Sequence, residues 1–412
     1  MAKHLIVIGG GAAGFFCAVN AARLHPHLEV TILEKTSKLL SKVKVSGGGR
    51  CNVTHACFDI ADMSKHYPRG NNFVKKTFHQ FFTTDTIKWF EERGVRLKTE
   101  KDGRMFPVTD SSQTIIECLM REANRNGVEI RMMSEVRGLK YEKGKFKISL
   151  SDPRHLSADF VCIACGGYPK SAMFDWLKEL GHTIEEPVPS LFTFNLPAHP
   201  ITKLMGVSVE RVKVKIHPAS GGTKLEQEGP LLITHWGLSG PAILKLSAWG
   251  ARELVISNWQ FAIIVNWIPA MKEQELSERF KEFRFSIASQ KVINKNPFGL
   301  PQRLWEFLIE FSGINKEIRW ADLSAKDQNR FIKNLTASEF EVKGKTTFKE
   351  EFVTAGGIKL NEIDANTMMS KKIPNLFFAG EILDVDGITG GFNFQHAWTS
   401  GFIVAKSLSM ES

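Results

Sequence analysis

The sequence predicts an α/β fold with a doubly wound parallel sheet, and three features near the amino terminus support this prediction. A short apolar run at residues 5–8, suited to a buried strand, leads into glycines at positions 9, 11 and 14. A helix-forming run at residues 12–24 follows directly. A second apolar run, residues 30–33, then ends in Glu34, at the distance expected within a βαβ unit.

The three glycines have separate roles in a dinucleotide-binding loop. Gly9 allows the tight turn from strand to helix, Gly11 lets the backbone approach a diphosphate, and Gly14 lets the helix pack closely on the strand. The free amides and the positive dipole end of the following helix, which begins at Ala12 and Ala13, would face the phosphates. We therefore predict that this loop binds a dinucleotide.

The end of the second strand indicates which dinucleotide is bound. Glu34 is placed to accept a hydrogen bond from a ribose hydroxyl, and an acid at this position disfavours a cofactor with a 2′-phosphate. We also predict cofactor contacts at the neighbouring Lys35 and at Val136, where a predicted β-hairpin begins. A glycine motif alone is weak evidence, since glycines also occupy turns, but this one has the strand, the helix and the acid that the site requires.

The composition is that of a folded protein with two or three domains. Of 412 residues, 43% are hydrophobic and 24% are charged, and the formal net charge is +10. Such an excess can indicate nucleic acid, but Lys and Arg are scattered here, so we predict a small-molecule substrate instead of a nucleic-acid partner. No apolar run has the length of a membrane helix, and six cysteines are few for this length. We predict a cytoplasmic protein without membrane contact or a metal site, and leave its oligomeric state open.

A second glycine-rich stretch follows the second strand and consists of Ser46, Gly47, Gly48, Gly49, Arg50, Cys51 and Asn52. Its backbone can lie against a flat or anionic ligand, with Arg50 as a fixed hydrogen-bond donor. A mobile surface loop is the alternative interpretation. Cys51 could be a reactive thiol beside a cofactor, although a packed, inert cysteine is the more common case.

A third glycine cluster, Cys165, Gly166 and Gly167, ends a predicted buried strand at residues 160–164. This strand would lie beside the first one, so that the cluster reaches the position where a doubly wound sheet holds its ligand. We predict cofactor contacts at all three residues.

The middle of the chain predicts an insertion into a discontinuous cofactor-binding domain. That domain would comprise residues 1–189 and 340–412, because the glycine-rich pattern fades and then returns. Short alternating runs at 190–265 predict a β-barrel, with 325–345 as a candidate completion. The helical and charged pattern at 266–339 predicts a small helical subdomain.

One histidine in the insertion is a candidate catalytic side chain. His235 lies in a Thr-His-Trp-Gly stretch, before a predicted strand end and helix start. It could position the substrate or transfer a proton. A histidine with a structural role is the alternative, and no paired acid and base or nucleophile arrangement emerges elsewhere.

The carboxy-terminal region adds a second helix N-terminus to the predicted cleft. A buried strand ends at Gly380 and Glu381, and a final helix opens at glycines 390 and 391. Two helix N-termini suit a long cofactor, which favours FAD over NAD, with Glu381 accepting from a ribityl hydroxyl. We predict cofactor contacts in this region at Gly380, Glu381, Asp386, Gly391, Phe392 and Asn393.

Together these motifs resemble those of a bacterial flavoprotein family, the HI0933-like family, also called YhiN or BaiN-like, which includes an aminoacetone oxidase. The resemblance is carried by the glycines at 9–14 and by residues 46–52, 234–241 and 379–393, and it spans nearly the whole chain. It implies a glutathione-reductase-type, Rossmann-like FAD-binding domain with an inserted β-barrel and a small helical subdomain. The chain departs from the family pattern at Cys165, where relatives often carry threonine.

The resemblance implies an FAD-dependent oxidoreductase that acts on a small organic substrate by hydride transfer to or from flavin N5. The sequence has no second G-x-G-x-x-G after a strand, so NAD(P)H would be a transient electron donor without a domain of its own. Within the family, amine oxidation and reduction of steroid enones are both known, and the sequence does not choose between them. Alternatives are a flavin-dependent RNA-modifying or RNA-binding protein, suggested by the charge, and an interaction protein merely stabilised by FAD.

Overall fold

The chain folds into two compact units, of which one is discontinuous. In the computed structural model, which describes residues 2–152, 155–217, 225–346 and 353–409, Met1–Ser190 and Lys349–Ser412 form the first unit and Leu191–Phe348 form the second. The cofactor domain predicted at 1–189 and 340–412 stays a prediction, and its second segment begins within the second unit. The predicted barrel and helical regions lie together in the second unit.

Twenty strands are found in the described residues. In chain order they are β1 (His4–Ile8), β2 (Glu29–Leu33), β3 (Thr54–His55), β4 (Leu97–Thr99), β5 (Arg104–Pro107), β6 (Glu129–Arg131), β7 (Val136–Glu142), β8 (Lys145–Leu150), β9 (His155–Ala158), β10 (Phe160–Ile163), β11 (Ile184–Ser190), β12 (Thr193–Asn195), β13 (Ser208–His217), β14 (Leu225–Ile233), β15 (Gly237–Ser239), β16 (Gln260–Asn266), β17 (Ser338–Lys343), β18 (Lys345–Thr346), β19 (Val353–Ile358) and β20 (Leu376–Phe378).

Thirteen α-helices are found in the same residues. They are α1 (Ala12–Leu24), α2 (Ser41–Gly49), α3 (Ile60–Ser64), α4 (Asn71–Thr77), α5 (Thr83–Glu91), α6 (Ser112–Arg125), α7 (Asp175–Lys178), α8 (Pro241–Trp249), α9 (Ala251–Ile256), α10 (Glu273–Ser286), α11 (Gln302–Phe311), α12 (Ala325–Thr336) and α13 (Phe392–Ser407). Short 3₁₀ turns occur at Ser171–Phe174, Pro200–Leu204, Trp320–Asp322, Leu360–Glu362 and Gly380–Ile382.

A five-stranded parallel sheet forms the centre of the first unit, in the order β20-β10-β1-β2-β6. Apolar residues fill its inner strands, as expected of a sheet covered on both faces. Strands β20, β10, β1 and β2 are neighbours and parallel, so their carboxyl ends meet along one edge. The glycine-rich stretches predicted to bind the cofactor follow three of these strands, which places those stretches together.

Helices α1 and α13 cross closely on this sheet. At the crossing, a Cβ atom on Gly401 would lie 2.6 Å from the Ala13 carbonyl oxygen, so glycine is needed for the approach. Phe16 on α1 packs against Trp398 on α13 and against Trp89, with ring centroids 5.2 and 4.6 Å apart. The amino-terminal and carboxy-terminal parts of the chain therefore share one core.

The second unit combines a seven-stranded sheet and helices. Its strand order is β17-β16-β13-β14-β15-β12-β18, with the described pairs antiparallel. The predicted helical subdomain shares one apolar cluster with this sheet, because Trp305 and Phe331 of its helices belong to the same buried group as Val214 and Ile263 of the strands. A closed barrel and a separate helical subdomain stay predictions.

Within the residues described, no helix has both the length and the apolar composition needed to cross a membrane.

A buried polar network fixes the segment that leads into β20. His182 is 3% exposed, and its ring bonds to Glu362 (3.0 Å) and to Ser370 (3.1 Å). Burial alone would raise the pKa of Glu362, but hydrogen bonds from Lys372, Thr183 and His182 outweigh it and lower the pKa to about 2. The network therefore stabilises the fold while Glu362 is ionised.

Substitution of Glu362 by glutamine should flatten the dependence of stability on acid pH. Because the folded pKa lies below the ordinary value, the stabilisation is complete above about pH 4.5 and is lost as the pH falls towards about 2, a change of about 2 to 3 kcal/mol. Urea unfolding at steps from about pH 7 to about pH 3 measures this slope. Glu278→Gln, at an exposed position of α10, should keep the wild-type slope, and an equal slope in Glu362→Gln would contradict the assignment.

Candidate cofactor site

The glycine loop after β1 has the geometry of a dinucleotide-binding turn. Gly9 has φ +117°, and a Cβ there would overlap the Ala164 carbonyl after β10. A Cβ on Gly14 would overlap the Gly9 carbonyl, so these two glycines are needed for close packing. Gly11 differs, since no atom lies within 4 Å of the position of its Cβ. The loop therefore presents open backbone at Gly11.

The start of α1 is free to accept an anion. Gly11 precedes the helix in extended conformation, and no side chain caps it. Ala12 and Ala13 begin the helix, as predicted. Uncapped amides and the positive end of the helix dipole are suited to a diphosphate.

Glu34 directly follows β2 and is held by the backbone around it. One carboxylate oxygen accepts from the Gly10 amide at 2.9 Å, and the other accepts from the Thr36 amide at 2.9 Å. The Glu34 carbonyl accepts from the Ser134 amide at 2.9 Å, which brings the start of β7, with Val136, close to this strand end. Lys35 lies 5.9 Å from the centre of the Tyr168 ring.

The second glycine stretch is a kinked helix end and not a free loop. It closes α2, but Ser46, Gly47 and Gly48 leave helical geometry, and the glycines have φ +59° and +68°. The positions where Cβ atoms of Gly48 and Gly49 would stand are open. These glycines can therefore approach a ligand as closely as Gly11 can.

The last three residues of this stretch, Arg50 to Asn52, make contacts within the protein. Arg50, predicted as an anion donor, pairs with Glu100 at 2.6 Å and stacks over Phe106 at 4.0 Å. Cys51 is fully buried, and burial raises the pKa of its thiol to about 12, which fits an inert cysteine and not a reactive one. With the Asn52 amide assigned so that both of its polar atoms find partners, the oxygen accepts from the Gly391 amide at 2.9 Å and the nitrogen donates to the Thr54 carbonyl at 3.0 Å.

Two neighbouring strand ends meet at Glu381. Gly166 and Gly167 follow β10, and a Cβ on Gly167 would lie 3.0 Å from a Glu381 carboxylate oxygen. That oxygen accepts from the Thr354 amide at 2.8 Å, and the other oxygen pairs with Lys42. Cys165, in the same turn, is half-buried, and burial raises its pKa to about 11.

The last motif fixes the first turn of α13. Gly391 precedes the helix with φ +93°, and Asn393 holds Gly387 through two hydrogen bonds of 2.8 Å. The Phe392 carbonyl accepts from the Tyr67 hydroxyl at 2.6 Å. Gly391 and Phe392 are buried, and a Cβ on Gly391 would lie 2.5 Å from the Thr54 carbonyl, so this helix start is packed against the protein.

The carboxylate of Asp386, a predicted cofactor contact, bonds to side chains of the protein itself. Its carboxylate is 0% exposed and is engaged by Arg69, and it also accepts from the Ser190 hydroxyl at 2.9 Å. Burial raises its pKa, and Arg69 opposes that shift. The carboxylate is thus occupied within the protein, and a cofactor contact there would have to involve other atoms.

His235 lies in the second unit, in the turn between β14 and β15. The Thr234 hydroxyl donates to the Gly237 carbonyl at 3.0 Å, which shapes this turn. The imidazole is exposed and packs edge-on against Trp236, with ring centroids 3.7 Å apart. An exposed ring in a defined turn is available to a ligand.

The residues present fit a dinucleotide cofactor of the FAD type. Four glycines from three motifs, Gly11, Gly48, Gly49 and Gly166, face open space where side chains would otherwise stand. The start of α1, which has no side-chain cap within the described residues, adds amide donors. Within the described residues, no group of His, Cys, Asp and Glu side chains is arranged to hold a metal ion.

Three residues at this edge were missed by sequence reasoning. Lys42 pairs with Glu381, Thr354 donates to it, and His396 lies buried beside Gly380. The glycine-rich run after Thr354 was a usable signal, since it marks another close approach. Lys42 and His396 gave no signal in the sequence, because their partners, Glu381 and Gly380, lie on other elements of the chain.

Comparison with known proteins identifies full-length relatives. A family model described as the HI0933-like protein Rossmann domain matches residues 3–407. The 3-dehydro-bile acid delta(4,6)-reductase of Clostridium scindens is 27% identical over 417 residues, which cover 97% of this chain and 98% of that protein. The ribosomal RNA dihydrouridine synthase of Escherichia coli is 29% identical over 412 residues, which cover 98% of this chain and 97% of that protein.

A solved structure shares the fold along its whole length. The 3-ketosteroid-Δ4-(5α)-dehydrogenase of Rhodococcus jostii RHA1, in complex with 4-androstene-3,17-dione, has a TM-score of 0.51 and 13% identity, and the match covers 98% of this chain and 97% of that one. At this identity the likeness concerns the fold alone, which is the α/β FAD-binding Rossmann fold.

Alanine substitutions at Gly14 and at Gly11 should change different properties, the stability of the protein and its affinity for FAD. Gly14→Ala places a Cβ on the Gly9 carbonyl and should destabilise the FAD-free protein by about 3 kcal/mol. Gly11→Ala meets open space, so the FAD-free protein should keep its stability within about 1 kcal/mol, while FAD binding weakens about tenfold or more because the backbone approach is blocked.

Thermal unfolding without FAD and titration with FAD separate the two effects. If Gly11→Ala binds FAD as well as the wild type does, the open space at Gly11 is not where the cofactor approaches.

Proposed function

The chain belongs to the family of HI0933-like proteins, and from that premise we propose that it reduces a carbon–carbon double bond conjugated with a carbonyl group. The family comprises FAD-dependent oxidoreductases, and the chain is a flavin-dependent oxidoreductase. The reaction, the substrate class and the electron donor are the parts that we propose.

The names of the two relatives describe the same kind of chemistry. A 3-dehydro-bile acid delta(4,6)-reductase acts, by its name, on double bonds at positions 4 and 6 of a 3-oxo compound. A dihydrouridine synthase, by its name, makes dihydrouridine, in which the uridine ring has gained two hydrogens. Each double bond is electron-poor because it is conjugated with a carbonyl, and this shared property carries the proposal.

The chain's own residues would bind and orient the cofactor for this reaction. The Gly11 backbone and the first turn of α1 would bind the diphosphate, and Glu34 would hold the adenosine ribose. Glu381 would accept from a ribityl hydroxyl. FAD held by these residues would supply the hydride chemistry at the carbon β to the carbonyl, and a proton from solvent or a side chain would complete the reduction.

NAD(P)H is the proposed source of the electrons. The net reaction is then the substrate plus NAD(P)H and one proton, giving the saturated product and NAD(P)⁺. The sequence has one G-x-G-x-x-G motif after a strand, and FAD would occupy it. The nicotinamide cofactor would therefore bind transiently and leave before the substrate is reduced.

RNA is a second candidate substrate, and the net charge favours it. A formal charge of +10 suits a polyanion, and a full-length relative is named for an activity on ribosomal RNA. The scattered arrangement of Lys and Arg favours a small substrate instead. Reduction of a uridine in RNA and reduction of a small enone are the same reaction on different substrates.

Anaerobic flavin spectroscopy tests the proposed reaction in two steps. NADH or NADPH should bleach the visible absorption of the FAD-loaded protein. A 3-oxo-4,6-diene steroid or a uridine-containing RNA should then restore the absorption, because the electrons pass to its double bond. The matched controls are the saturated 3-oxo steroid, which lacks the double bond, and polyadenylate, which contains no uracil ring.

The outcomes separate the candidates. Reoxidation by the dienone alone supports a small substrate, whereas reoxidation by RNA alone, with binding that falls steeply as salt is raised, supports RNA. The proposal fails if neither nicotinamide bleaches the flavin, or if neither substrate restores the absorption of the reduced protein.

Replacement of His235 by alanine tests our proposal that this residue positions the substrate or transfers a proton. Turnover should fall about tenfold or more, in keeping with the loss of an acid–base or positioning group, while the FAD content stays at the wild-type level. His155→Ala, at another exposed histidine, should leave turnover unchanged. Loss of FAD or of folding in His235→Ala would instead indicate a structural role.

A further inference from the structure

A cavity in the first unit has none of the predicted cofactor contacts in its walls. It has a volume of about 490 Å³ and lies between the start of α4 and residues 360–371, which lead into β20. Small-molecule sites usually enclose about 300 to 1,000 Å³, so this cavity has room for a ligand with several functional groups. Most of its polar residues are exposed and can be reached from solvent.

Hydrogen bonds within the first unit hold the two walls of this cavity. The side-chain amide of Gln80, which follows α4, donates to the Asn366 carbonyl of the second wall at 3.0 Å. In that wall, the Asp364 amide donates to the Met369 carbonyl at 2.9 Å, and the Met368 amide donates to the Asp364 carbonyl at 2.7 Å. The cavity is therefore formed before any ligand binds.

The charges of the cavity favour an anion. Lys76 comes from α4 and Lys371 from the second wall. The Lys371 ammonium donates to the Asn361 carbonyl at 2.9 Å, and the Lys76 ammonium has no hydrogen bond or ion pair with the rest of the described chain. One acid, Asp364, lies among the described lining residues, and one of its carboxylate oxygens accepts from the Asn366 amide at 2.9 Å. Two ammonium groups against one carboxylate leave a positive site, which suits a phosphate group.

The other lining residues combine amide groups with apolar surface. The side-chain amides of Asn72 and Asn361 have no hydrogen-bond partner within the described residues, and the same is true of Asn366. Each amide offers both donors and an acceptor, as the edge of a nucleobase requires. Leu360 and Ala365 are half-buried and add apolar surface on which a flat ring can lie. Cations, a carboxylate, amides and apolar surface together match the phosphate, ribose and base of a nucleotide.

We infer that this cavity binds an adenine mononucleotide unit, in addition to the FAD bound at the glycine loops. Lys76 and Lys371 bind its phosphate, and the second carboxylate oxygen of Asp364 accepts from a ribose hydroxyl. The asparagine amides bond to the edge of the base. The unit has two possible sources with the same chemistry, a free nucleotide such as AMP and the adenylate half of a nicotinamide dinucleotide. The inference does not depend on the reduction proposed above.

Calorimetric titration of the FAD-loaded protein with AMP tests the inference. FAD has to be present, because the loop at Gly11 would otherwise bind the AMP itself. AMP should bind with a dissociation constant below about 1 mM. Inorganic phosphate should bind at least about tenfold more weakly, because it lacks the ribose and the base.

Two variants locate the bound AMP in the cavity. Lys76→Gln removes a cation and Asn361→Ala removes an amide, and both side chains are exposed, so the melting temperature should stay at the wild-type value. Each variant should weaken AMP binding about three- to tenfold, the range for the loss of one hydrogen bond. Lys75→Gln is the matched control, because it removes the same charge from the same helix at a position outside the cavity walls. It should keep the wild-type dissociation constant.

Titration with NADP⁺ distinguishes the two sources of the nucleotide. Tighter binding of NADP⁺ than of AMP, with the same loss in Lys76→Gln, supports the adenylate half of a dinucleotide. Tighter binding of AMP supports a free nucleotide.

Three results would overturn the inference. They are the absence of AMP binding to the FAD-loaded protein, equal affinities for phosphate and AMP, and wild-type affinity for AMP in both cavity variants. No reduction takes place in these titrations, so they succeed or fail independently of the proposed reaction.

Discussion

The close approach of backbone to backbone at the carboxyl end of β1 is the constraint on which the first unit depends. Gly9 must turn away from Ala164 of the neighbouring strand, and Gly14 must fit against the Gly9 carbonyl, so neither position has room for a Cβ. These contacts set the distance between β1, β10 and α1. Gly11 has no such neighbour among the described residues and faces open space. In this loop, Gly9 and Gly14 therefore allow close packing, and Gly11 leaves room for a ligand.

The site also depends on residues that the chain brings together over long sequence distances. Strand β20 completes the parallel sheet begun at β1, and α13 packs against α1. Both elements follow the second unit in the chain. Lys42 reaches Glu381 across 339 positions, and the Trp398 indole donates to the Val53 carbonyl across 345. An insertion of this size is compatible with one core because β11 and β19, where the chain leaves and re-enters the first unit, pair with each other.

The sequence was most informative where a residue's role is local. The βαβ start, its glycines, Glu34 and the final helix were predictable because strand period, helix start and backbone freedom are properties of neighbouring residues. The sequence did not reveal the partner of Arg50, because Glu100 lies on a separate part of the chain and competes with any anion. Asp386 was placed on the cofactor, but the structure buries its carboxylate against Arg69, a contact that no spacing rule reveals.

The charges at this edge explain how a site with three acids can suit an anionic cofactor. Like charges a few ångströms apart repel strongly where water is scarce, so free carboxylates beside a diphosphate would oppose binding. Glu34 is instead held by backbone amides, Glu381 is paired with Lys42, and Asp386 is paired with Arg69. The charges of Glu381 and Asp386 are thus balanced by a cation, and the charge of Glu34 is stabilised by backbone amides. The open backbone at Gly11 and the positive end of α1 then determine the local potential, and both favour the diphosphate.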